Sequence, residues 1–213
     1  MCGTCALSRH TCLMSSDIAD HKRFNHTIKY QRELFARLPE GAHTALDLGC
    51  GEGLAARTLV AAGLTVVGVD ADAPSIARAE AQDTAGITYI VGDVFTTALE
   101  QADVVYSGLM LHHGDITAGL ERCKELVAPG GVLLIVGTAR NTLVDLPREF
   151  AASVVDKAFN LVKGSWKSGT PSAWPPPHTY REVARAVADV LPGAEYRQNL
   201  LWRYSVRWDA PPA

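Results

Sequence analysis

The chemistry in this chain gathers first around Asp47-Leu48-Gly49-Cys50-Gly51-Glu52-Gly53. A short apolar run, residues 44–48, enters this segment and an alanine-rich stretch, residues 54–62, leaves it, so the glycines fall at a strand-to-helix turn. Glycine lets the backbone turn sharply there and lets a ligand approach the main chain. The helix beyond offers N–H groups that no intrahelical carbonyl uses. A pyrophosphate-binding turn would read G-x-G-x-x-G/A; here the third glycine arrives one residue early and the sixth position is Leu54. Asp47 has little use beside a pyrophosphate but suits a ligand with an ammonium group. The turn therefore favours a nucleotide carrying an amino acid over NAD.

Further positions extend the pattern. Asp70 follows the β-branched run 64–69, about 20 residues past the glycines, where a carboxylate accepts hydrogen bonds from ribose hydroxyls. Asp72, beyond Ala71, reads as the cap of the next helix. Gly92-Asp93-Val94 follows a third strand, 87–91; Asp93 suits an adenine amino group or an ordinary turn, and spacing alone fits both. His112-His113 comes just past a fourth strand, 103–107, that ends at Ser107. Histidine titrates near neutral pH and suits removal of a proton from a nucleophile. His113 is the favoured base, because Leu111 and His112 belong with the buried element.

The elements that must position these residues alternate. Phe24, Ile28, Gln31, Phe35 and Leu38 repeat at helical spacing and stop before Pro39. Pro74 opens a helix to Ala81, and Asp115 caps one running to Val127. Pro129-Gly130-Gly131 turns the chain into a fifth strand, 132–136. Strand alternating with helix predicts a parallel sheet with right-handed crossovers. Leu143, Leu146, Phe150, Val154, Ala158 and Leu161 form a further helical stripe, whose apolar face suits a lid. Thr179 and Glu182 form a capping box that opens a last helix, to Val190. The C-terminal segment alternates, with Trp202, Tyr204, Val206 and Trp208 on one face and Arg203, Ser205 and Arg207 on the other. It reads as a half-buried strand paired with residues 195–200 in an edge hairpin.

In this order and at this spacing the motifs resemble those of the small-molecule class I S-adenosylmethionine-dependent methyltransferases. The matching segments are Ala45 to Gly53, Val67-Gly68-Val69-Asp70, Val91-Gly92-Asp93, Leu109-Met110-Leu111-His112-His113 and Leu126-Val127-Ala128-Pro129-Gly130-Gly131, and they cover roughly residues 40–140. The resemblance implies S-adenosylmethionine as cofactor and S-adenosylhomocysteine as product. It places the methionine end on Gly49, Gly51 and Gly53 with Asp47 near its ammonium, the ribose at Asp70, and the adenine at Asp93 and Val94. Cys50, Ala71, Gly92 and Ser107 complete the expected cofactor site. The implied fold is α/β, a Rossmann-like, doubly wound, mostly parallel seven-stranded sheet with an antiparallel C-terminal edge hairpin and a small helical and loop insert. The family's nucleic-acid and protein-amide branches often carry Asn/Asp-Pro-Pro-Tyr/Phe after the fourth strand; this chain has Ser107-Gly108-Leu109-Met110, which argues against adenine or glutamine amide as acceptor.

The acceptor is expected to be a small molecule, bound by elements outside the shared core. Candidates are His26 and Tyr30, four apart on the first helix, and Trp166 and Trp174 in the insert. The net charge of −3 and the absence of a long basic run give no reason to expect nucleic acid. No apolar stretch is long enough for a transmembrane helix and no secretory signal opens the chain, so the expected setting is cytoplasmic and no membrane is involved. Residues 1–19 read as a poorly ordered extension and 20–213 as one methyltransferase domain with cap elements 20–38 and 141–178, as a monomer or homodimer. Cys2, Cys5, His10 and Cys12 have zinc-like spacing, but their short terminal segment has no apolar pattern to hold a site, and no metal is expected. An NAD-dependent oxidoreductase and a non-catalytic cofactor-binding partner protein are the alternatives.

Overall fold

A computed structural model describes residues 25–82, 84–163 and 175–213. The extension 1–19, the Cys2/Cys5/His10/Cys12 group, Trp166 and Trp174 lie outside the described residues. The strands are β1 (Thr44–Leu48), β2 (Thr65–Asp70), β3 (Ile87–Val91), β4 (Ala102–Gly108), β5 (Val127–Gly137), β6 (Glu195–Gln198) and β7 (Tyr204–Asp209). The helices are α1 (His26–Phe35), α2 (Leu54–Ala61), α3 (Ala73–Glu80), α4 (Ile116–Glu125), α5 (Leu146–Lys163) and α6 (Tyr180–Val190). The sheet order is β3-β2-β1-β4-β5-β7-β6, parallel from β3 through β5. β7 runs antiparallel to both β5 and β6.

Apolar burial on both faces explains why the central strands read as continuous hydrophobic runs. Val105, Leu133, Ile135 and Val206 pack with Leu120 and Cys123 of α4 and Val183 and Val187 of α6. On the other face Val104, Tyr106, Leu134 and Val136 pack with Tyr30 and Leu34 of α1 and Ala56 and Leu59 of α2. Local signals set the helix starts. Asp72 accepts the Ser75 N–H and Asp115 the Ala118 N–H, while Thr179 and Glu182 form the reciprocal capping box.

Two features differ from the sequence pattern. β7 begins at Tyr204, because Leu201 and Trp202 adopt positive φ, 63° and 58°, and break the extended run. The β6–β7 hairpin takes its expected place at the edge of the sheet, with β7 against β5 and β6 outermost. The stripe over 143–150 forms a turn and helix as expected, but its apolar face is not buried: Leu143, Val144 and Phe150 are 84%, 86% and 76% exposed.

Gly137 faces Tyr204 across the β5–β7 pair, and a Cβ at that position would lie 2.1 Å from the ring. Tyr204 is fully buried and has no room to retreat. Gly137→Ala should therefore destabilise the fold by about 1–3 kcal/mol through overpacking, read as a lower urea midpoint at unchanged slope.

Candidate active site

A cavity of about 870 Å³ opens beyond the carboxyl ends of β1, β2 and β4. This is where the strand order reverses, with β2 and β3 on one side of β1 and β4 and β5 on the other. Open α/β sheets bind ligands at such a switch point.

One half of the cavity is the glycine turn between β1 and α2. The Gly49 and Cys50 N–H groups both donate to the Val69 carbonyl, at 2.8 and 3.0 Å. Gly51 N–H donates to one Asp70 carboxylate oxygen at 2.7 Å, and Asp72 N–H to the other at 2.8 Å. Each carboxylate oxygen keeps a lone pair for a further donor. Gly53 has φ +74°, and a Cβ there would meet the Tyr89 hydroxyl at 2.1 Å, so only glycine fits. Across the cavity, Asp93 accepts the Phe95 N–H at 2.8 Å, and Val94 supplies an apolar wall beside Ala71 and Gly92.

Asp47 sits beneath this turn and does not line the cavity. It is 1% exposed and accepts the Ala56 N–H of α2 at 3.0 Å. Burial, against that hydrogen bond, pushes its carboxyl up to about 7. Gly53 and Ser107 also lie off the cavity wall. Strand alternation turns Ser107 to the face opposite Tyr106, where it is fully buried.

The other half is built from α1, the end of β4, the 3-10 turn Leu111–His113 and the β6–β7 connection. His112 and His113 both line it, with ring centroids 4.2 Å apart. His112 is buried and its Nδ1 has no partner among the described residues. Burial, helped by His113 and Arg203, lowers its pKa to about 4. His26 lines the same half, hydrogen-bonded to Asp156 of α5 at 2.8 Å and 5.5 Å from the Trp202 ring. Tyr30 does not reach the cavity; its hydroxyl donates to the Leu200 carbonyl at 2.5 Å and fastens the β6–β7 connection to α1.

Gln31, Tyr106, Thr138 and Arg203 complete this wall and were not singled out from the sequence. Three non-glycine residues around it hold left-handed backbone: Leu109 on the wall itself, and Leu201 and Trp202 just before Arg203. Each such residue carries about 1–3 kcal/mol of strain that the surrounding packing must impose. The Thr138 hydroxyl donates to the Trp202 carbonyl at 3.2 Å and holds that connection down.

A family model described as "Methyltransferase domain" matches residues 46–135. An uncharacterized methyltransferase of Mycobacterium tuberculosis is 38% identical over 192 residues, covering 88% of this chain and 98% of that protein. The ubiquinone biosynthesis O-methyltransferase of Dinoroseobacter shibae is 32% identical over 139 residues, 62% of this chain and 54% of that one. The magnesium protoporphyrin IX methyltransferase of Synechocystis, solved with bound S-adenosylhomocysteine, shares the fold with a TM-score of 0.56 at 18% identity, covering 90% of this chain and 83% of that one. The chain belongs to the S-adenosylmethionine-dependent methyltransferases.

The environment of His112 sets its titration. In a histidine-labelled sample the His112 ring should titrate near pH 4, well below the ordinary 6.5, and remain neutral at pH 7. His113→Gln removes a neighbouring positive charge at low pH and should move that midpoint upward, as read by NMR chemical shifts.

Proposed function

We propose that this methyltransferase acts on a small molecule seated between α1, the His112-His113 turn and the β6–β7 connection. The observation that carries the reading is that one cavity contains both the Gly49–Gly51–Asp70–Asp93 wall and the two histidines. The residues present fit the family's cofactor. Asp70 has spare acceptor capacity for hydroxyl donors, and Val94 and Leu111 offer apolar surface for a base. Asp47, off the cavity wall, supports the site from beneath by accepting the Ala56 N–H of α2. When bound, S-adenosylmethionine supplies a methyl group on a sulfonium centre.

The protein's own contribution is then placement. The left-handed Leu109 and the 3-10 turn hold His112 rigidly on the wall, and rigid placement is what an in-line displacement demands. A ring that is neutral at pH 7 can accept the nucleophile's proton. Its low basicity matches an acceptor whose own proton is acidic. His112, with its buried, unpartnered nitrogen, is the better candidate base than His113, which is exposed. The domain reading, with residues 20–38 and 141–178 capping the acceptor side, fits α1 and α5 meeting at the His26–Asp156 contact.

Calorimetry with S-adenosylhomocysteine tests the cofactor half. The expected result is a single site, weakened at least about tenfold by Asp70→Ala, an amount consistent with losing charge-assisted hydrogen bonds. NAD should give no heat; binding of NAD in place of S-adenosylhomocysteine would refute the assignment. Once an acceptor is in hand, His112→Ala should lower kcat by about 10²–10⁴-fold if His112 is the base, with affinity for S-adenosylhomocysteine unchanged. An unaltered kcat would remove that role.

A further inference from the structure

We propose that Arg203 recognises an acidic acceptor, a small molecule whose carboxylate docks on the guanidinium at the His26 side of the cavity. The inference rests on the methyltransferase reading of that cavity.

Arg203 lines the cavity and is held by neutral partners alone. Its Nε donates to the Thr27 hydroxyl at 2.9 Å and its Nη1 to the Trp202 carbonyl at 2.9 Å. Nη2 has no hydrogen-bond partner, and no carboxylate lies within ion-pair distance, among the described residues. By contrast, Arg207 pairs with Asp209, and Arg122 with Glu125 and two carbonyls. A largely desolvated cation without a counter-ion is unfavourable in the ligand-free protein. Burial lowers the pKa of Arg203, in agreement with that placement.

The neighbours add to this. Gln31 is 4% exposed and lines the same wall, with its carboxamide oxygen 3.5 Å from the Tyr106 hydroxyl. Its carboxamide adds a second polar side chain to the cavity that Arg203 lines. The two left-handed residues Leu201 and Trp202, the Thr138–Trp202 bond and the Tyr30–Leu200 bond fix the segment that presents Arg203. Such a construction positions a planar fork, which binds a carboxylate through two parallel hydrogen bonds.

Charge selects the ligand class. Among the described lining residues Arg203 is the one Lys or Arg, whereas Glu52, Asp70, Asp72, Asp93 and Asp115 line the same cavity. A single guanidinium among several carboxylates suits a monoanion and disfavours a phosphate dianion.

The test uses the whole chain saturated with S-adenosylhomocysteine and a panel of small carboxylic acids from acetate to 4-hydroxybenzoate. Each is compared with its carboxamide, and phenyl phosphate is the dianionic probe. Binding is read by calorimetry and by the NMR titration of His26 and His112. The expected result is that at least one acid binds tenfold or more tightly than its amide and raises the His112 midpoint, because the bound charge offsets the field of Arg203. Arg203→Gln should abolish the acid–amide difference, and Arg203→Lys should retain part of it. Both variants should keep the wild-type affinity for S-adenosylhomocysteine, which shows that they fold. No carboxylate preference anywhere in the panel, a preference that survives Arg203→Gln, or tighter binding of phenyl phosphate than of benzoate would overturn the proposal while leaving the cofactor reading standing. Failure of the wild type to bind S-adenosylhomocysteine would overturn both.

Discussion

The carboxylate of Asp70 accepts the N–H of Gly51 at 2.7 Å and the N–H of Asp72 at 2.8 Å, and through that one group the end of β2 fixes the turn that follows β1. A loop of glycines in left-handed conformations has no side chains with which to hold itself. Its shape comes from outside: Val69 takes two of its N–H groups, and Asp47 anchors the first turn of α2 through Ala56. The direction of α2, the mouth of the cavity and the start of α3 all follow from these contacts. An acid at the end of β2 thus does structural service whether or not a ligand is present.

The two halves of the cavity are stabilised differently. The glycine half depends on backbone hydrogen bonds between adjacent parallel strands, which are short-range and rigid. The half containing Arg203 depends on long-range fastenings: Tyr30 to Leu200, Thr138 to Trp202, and His26 to Asp156. It also contains the strained residues Leu201 and Trp202. Segments distant in sequence therefore hold this wall, and local opening there would disturb the sheet core little.

This difference explains what could be read from the sequence. The glycine turn, Asp70, the Asp72 and Asp115 caps and the Thr179–Glu182 box were legible because their chemistry is local and their spacing short. The strand–helix alternation was legible for the same reason. Arg203 was not, because alternation places residues 202–208 in one strand and only the left-handed pair at 201 and 202 moves it out. Tyr30, Asp47 and Ser107 show a second limit. Periodicity gives the face of an element but not how far a side chain stands from the cavity, and all three stop short of it. His112 is buried and still reaches the cavity, because it stands in a 3-10 turn beyond the end of β4. The stripe at 143–150 shows a third limit, since apolar periodicity predicts a helix without guaranteeing a partner for its face.

The place of β7 inside the sheet bears on how the molecule assembles. β5 is an 11-residue, largely apolar strand whose second edge is covered by β7 alone. β6 and β7 are joined by a short connection and pair antiparallel, so their contacts are local in sequence. The parallel ladder from β3 to β5 needs contacts between residues far apart in sequence and is intrinsically slower. Until the hairpin docks, the open side of β5 is an exposed hydrophobic strand edge, a template for pairing with another chain. The C-terminal hairpin therefore also acts as a cover, occupying the row of amides on β5 that another chain would otherwise be able to pair with.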